Sequence, residues 1–120
     1  MLSPDGSRIF FVQEDRKDPY DWGMMVPVIG GIPQRLRMPF SEGEVGRLKW
    51  VPDGKSFLYS KYDNGVANIW SAPICGNKPP RRITNFQSDR ISAFDVSPDN
   101  RLVISRSERL RDVVFIKNVK

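Results

Sequence analysis

The chain has no histidine and only one cysteine, Cys75, among its 120 residues. The first absence removes the usual general base and the commonest metal ligand. The second rules out an internal disulfide, and without a histidine to activate it Cys75 is a poor nucleophile. It reads as a small, partly buried apolar residue at a strand end beside Gly76. No serine lies in a nucleophile elbow, and no D-x-D-x-D-G loop offers a calcium site. Helical periodicity is almost absent, and no apolar run approaches the length of a membrane span. No basic-then-apolar leader is visible, so an export signal or anchor is expected only in sequence upstream. These absences predict a chain without catalytic machinery, cofactor or metal. A hydrophobic content of 39% allows one modest core.

What is present is a repeat. Residues 3–12 read SPDGSRIFFV, 51–60 read VPDGKSFLYS and 97–106 read SPDNRLVISR. The aspartates fall at Asp5, Asp53 and Asp99, a step of 48 and then 46 residues. Proline presets φ for the first corner of a type I turn, and aspartate bonds nearby backbone N–H groups. Glycine then takes the left-handed conformation that returns the chain as a hairpin. Gly6 and Gly54 fill that position twice. Asn100, the next most tolerant residue, fills it the third time. Turn formation accounts for all three aspartates, which are too far apart in successive repeats to act as an acid–base pair.

The match runs beyond the turns. Gly30-Gly31 and Gly76-Asn77 lie 46 residues apart, each followed by a proline and then a basic–aliphatic pair. KYDNG at 61–65 reads as an Asn-Gly hairpin turn. A period in the forties, with short strands between turn signals, predicts an all-β chain of antiparallel four-stranded sheets, one per repeat. Strands are expected near 8–14, 23–29, 33–38, 46–51, 56–62, 68–75, 80–84, 91–96, 102–107 and 112–118. They group into pieces 1–40, 41–86 and 87–120. The count is ten strands, or two and a half repeats.

The pattern S-P-D-G, apolar strand, N-I-W-x-x-P-x-x-G-x-x-P-x-x-I-T resembles the blade repeat of TolB-like six-bladed β-propellers, over nearly the whole chain. The resemblance implies a partial propeller, since a closed ring needs roughly twice this length or more. RLVISRSERLRDVVFIKNVK is similar to the last blade of bacterial TolB-like domains that follow a serine/threonine kinase or a winged-helix region. It implies a C-terminal piece whose nearest partners are the upstream blades of its own ring. It also implies a parent in the periplasm or attached to a membrane. Gating propellers of oligopeptidases are similar too, but there the hydrolase follows the propeller. Two roles stand open: a non-catalytic scaffold that binds another protein, or a sensor domain of a kinase or transcription regulator.

Charge and position supply the candidate site. The net charge is +5, and residues 81–120 carry nine basic against five acidic side chains. Arg101, Arg106, Arg109 and Arg111 crowd the last hairpin, with Lys117 and Lys120 beyond. A solvated edge that resists strand pairing explains them better than nucleic acid does, because no nucleic-acid module surrounds them. In VGRLKWV and ISAFDVS, the expected innermost strands, Leu48 and Trp50 align with Phe94 and Val96. Arg47, Lys49 and Asp95 then fall on the polar positions and are the candidate channel-lining residues. A Lys49–Asp95 salt bridge is the simpler reading and a ligand group the sharper one.

Overall fold

The computed structural model describes residues 1–13, 20–41, 45–74, 78–107, 112–117 and 119. Ten strands run through them: β1 Arg8–Gln13, β2 Tyr20–Pro27, β3 Gln34–Ser41, β4 Val45–Trp50, β5 Ser56–Asp63, β6 Val66–Pro73, β7 Arg81–Arg82, β8 Arg90–Val96, β9 Arg101–Ser107 and β10 Asp112–Lys117. No helix occurs among the described residues, and so none there could cross a membrane. The strands form three antiparallel meanders, ordered β1-β2-β3, β4-β5-β6-β7 and β8-β9-β10. Each expected strand is present. β2 begins earlier and β3 ends later than expected, while β7 keeps only two residues.

The chain divides into two compact units, Met1–Glu44 and Val45–Lys120. The first holds the three-stranded sheet β1-β2-β3. Phe10 pairs across the ladder with Met25, and both are buried. Alternation puts Ile9 and Phe11 on the other face, where both are exposed. Gly30 and Gly31, at φ 97° and 138°, turn β2 into β3. The matching pair Gly76-Asn77, like Cys75, lies outside the described residues.

The second unit packs two sheets on each other. Leu58 of β5 and Ile69 of β6 meet Phe94, Leu102 and Ile104 of the third sheet, with Val51 and Val119 closing the core. Period-two alternation, read through the ladders, explains the third sheet's share. Ile104 lies opposite Phe94 and Val114, and Leu102 opposite Val96 and Ile116, so one face is apolar throughout. In β5, Phe57, Leu58 and Tyr59 are all at most 2% exposed, so both faces of that strand are covered. Burial pushes the Tyr59 phenol up to about 12. The Asn64-Gly65 hairpin has φ 50° and 79°, the doubly positive pair of a type I′ turn.

The three proline–aspartate turns share one geometry up to their fourth residue. Gly6, Gly54 and Asn100 have φ of 75°, 73° and 65°. Their N–H groups reach back to the carbonyls of Ser3, Val51 and Ser97 at 2.8–3.0 Å. The closing bonds differ. Ser3 bonds Arg8 and Val51 bonds Ser56, but Ser97 bonds Arg101, so the third hairpin closes one residue sooner. Asn100 therefore sits in a tighter loop than the two glycines, a difference invisible in the aligned tripeptides.

Candidate functional site

The three turn aspartates are occupied by their own loops. Asp5 Oδ1 accepts the Ser7 N–H at 3.0 Å and the Ser3 and Ser7 hydroxyls at 2.7 Å. That backbone bond, then the hydroxyls, lower its carboxyl to about 2. Asp53 accepts the Lys55 N–H at 2.9 Å. Asp99 accepts the Ser97 hydroxyl and pairs with Arg101 Nε at 2.9 Å. The hydroxyl bond is the main cause of its lowered carboxyl. No group of metal-ligating side chains gathers among the described residues.

Of the candidate channel residues, two come together. Lys49 Nζ lies 3.9 Å from Asp95 Oδ1, joining the innermost strands of the second and third sheets. Asp95 also accepts the N–H of Val96 at 2.8 Å. The lysine side chain is 37% exposed and the aspartate 70%, so the pair is solvated and weakly held. Arg47 lies in β4, but its side chain falls outside the described residues, as do Arg109, Arg111 and Lys120 entirely.

A second cluster, at the end of these sheets carrying the Asn64-Gly65 turn and residues 86–90, is built from cations laid on aromatic rings. Lys61 Nζ sits 5.3 Å from the Trp70 ring centroid, Arg90 5.6 Å from Tyr62, and Arg106 4.2 Å from Phe86. Arg106 also approaches Asp89 at 4.0 Å, with both side chains mostly buried. Asp89 holds φ 78°, which is costly for a non-glycine residue, and its carbonyl accepts the Ala67 N–H at 3.1 Å.

Buried polar side chains hold this end in place. Asn68 Oδ1 accepts both the Thr84 hydroxyl and the Phe86 N–H at 2.7 Å. The Thr84 hydroxyl in turn accepts the Ile69 N–H at 2.9 Å. Beyond Arg82 the fourth strand thus stops pairing as a ladder, and the Asn68–Thr84 lock carries residues 84–86 over the sheet. Asn68, Trp70, Arg82 and Phe86 consequently line a cavity of about 160 Å³, together with Lys61, Asp63, Val66 and Gln87. None of these residues stands out as a site residue in the sequence. Lys61 and Trp70 sit on neighbouring strands, so no one-dimensional pattern pairs them. The one available signal was the N-I-W…I-T phrase, which contains Asn68 and Thr84.

No family model matches the chain. Over 113 residues it is 26% identical to dipeptidyl-peptidase 5 from two strains of Aspergillus fumigatus, covering 89% of this chain. It spans about 15% of the length of those relatives. Its structure matches TolB from Acinetobacter baumannii with a TM-score of 0.64 at 18% identity, over 93% of this chain and 28% of that one. This likeness shows the fold: the sheets are blades of a TolB-like β-propeller.

Proposed function

We propose that this chain is a non-catalytic propeller segment that acts as a protein-interaction scaffold, with the cation–aromatic end of its second and third sheets as the contact surface. The observation that carries the reading is the placement of Lys61 and Arg90 on aromatic rings. A cation held against a π face keeps its N–H donors available, and aromatic and arginine side chains are the residues that dominate protein interfaces. The missing histidine supports the absence of catalysis, although dipeptidyl-peptidase 5 carries an enzyme's name. Nucleic acid is disfavoured because exposed Asp63 lies beside Lys61 and Arg82 and interrupts the basic surface.

A second reading rests on residues 101–120, which resemble the final blade of regulatory propellers. Under it the same surface serves as the sensor of a bacterial serine/threonine kinase or winged-helix regulator. Adjoining coding sequence for either domain supports that role, and its absence favours the free scaffold.

The scaffold reading is tested by affinity capture with the full chain, followed by identification and reciprocal capture of the retained protein. A partner lost on joint Arg82→Glu and Arg90→Glu substitution is the expected result. Turnover of dipeptidyl amide substrates by the purified chain, or capture indifferent to those substitutions, overturns it.

A further inference from the structure

The cavity beside Trp70 has a more specific chemistry than a general contact surface. Two cations line it, Lys61 and Arg82, against one carboxylate, Asp63. Among the described residues no carboxylate forms an ion pair with Lys61 or Arg82. Among the described residues Lys61 is held by the Trp70 ring, which orients the ammonium without neutralising it. Arg82 is exposed at the last rung of β7, paired across the ladder with Trp70. Its guanidinium offers a planar fork of donors suited to a carboxylate.

The walls are fixed as well as charged. Asn68 is only 7% exposed, and its hydrogen bonds to Phe86 and Thr84 hold the 84–86 segment against β6. Phe86 borders the cavity, while its side chain packs against the core between the second and third sheets and its ring supports Arg106. A volume of about 160 Å³ lies below the roughly 300–1,000 Å³ of pockets for drug-sized ligands, so it suits a single side chain. Gln87 also lines it; its amide nitrogen donates to Asn85 at 3.3 Å, which leaves the amide oxygen to accept a peptide N–H.

We infer that this cavity receives one carboxylate side chain of an acidic, extended peptide segment, with Arg82 and Lys61 on the carboxylate and Trp70 flanking its methylene stem. The inference rests on the scaffold reading and names the chemistry of its partner. A polyphosphate backbone fits less well, because the cavity offers one anion-sized space rather than a track for successive phosphates.

The test is fluorescence anisotropy of the full chain with a labelled peptide alternating Glu and Leu. Its Gln-for-Glu counterpart and an oligothymidylate of equal charge serve as comparisons. The acidic peptide should bind, more weakly as salt rises, and the neutral peptide should lose at least about tenfold in affinity. Arg82→Gln should weaken the acidic peptide by about tenfold and Arg82→Lys by less, since lysine keeps the charge but not the fork. Arg101→Gln, at the remote Ser97–Arg101 turn, should leave binding unchanged. Circular dichroism melts establish that each variant is folded. Equal binding of the neutral peptide, insensitivity to Arg82→Gln in a folded variant, or tighter binding of the oligonucleotide overturns the inference. If affinity capture still yields a partner, only the carboxylate assignment falls; if it yields none, the scaffold reading falls with it.

Discussion

At the residue scale, backbone conformation explains more of this chain than side-chain chemistry does. Gly6 and Gly54 sit near φ +75°, where an L side chain crowds the neighbouring carbonyl. A Cβ built on Gly6 meets no atom within 4 Å, so a substitution there is opposed by backbone strain alone. Gly6→Val and Gly54→Val should each lower stability by roughly 1–2 kcal/mol, read as a lower thermal midpoint. Unchanged midpoints would contradict the shared turn geometry. Asn100 already tolerates this conformation, and its side-chain oxygen is buried without a hydrogen-bond partner among the described residues. The aspartates are explained by the same loops: Asp5 Oδ1 accepts from Ser3 and Ser7.

At the element scale, the fourth strand of the second sheet depends on two side chains as well as a ladder. Ile69 donates its N–H to the Thr84 hydroxyl, and its carbonyl accepts from Ile83 and Thr84. Thr84→Val keeps the shape but leaves that N–H and Asn68 Oδ1 short of a partner in a buried place. It should cost about 1–3 kcal/mol in denaturant unfolding, while Thr84→Ser, which keeps the hydroxyl, should cost clearly less. Equal losses for the two would show that packing, not the hydrogen bonds, matters there. The strands themselves were legible because turn residues and apolar alternation act locally. Val103 and Phe115, for example, follow from parity once Leu102 and Ile104 are placed inward. Three things were not legible. The early closure at Ser97–Arg101 depends on which carbonyl the chain meets on returning. The shortness of β7 depends on Asn68, some fourteen residues away. The Lys61–Trp70 and Arg106–Phe86 pairs depend on contacts between separate segments, which linear spacing does not report.

At the scale of the whole molecule, the outward face of the third sheet sets its solution behaviour. Phe115 is 77% and Val113 58% exposed, and Phe115 lies directly opposite Val103 on β9. This face adjoins a cavity of about 490 Å³ lined by Pro98, Val103 and Phe115 among others, with Asp95, Asp99 and Arg101 around it. The repeat supplies the reason. The second sheet's corresponding face is covered by the third sheet's apolar side, whereas no described segment of this unit covers the third sheet in turn. An apolar patch of this kind, rimmed by charge, promotes association. The full chain should therefore show a weight-average mass that rises with concentration through the micromolar range in sedimentation equilibrium. Phe115→Lys places a charge in the middle of the patch without disturbing the inward core of Leu102 and Ile104, and should hold the chain near its monomer mass. A wild-type chain that stays monomeric would show that the exposed aromatic is tolerated in water. An associating Phe115→Lys variant would move the contact elsewhere, with exposed Ile9 and Phe11 of the first unit the next surface to alter.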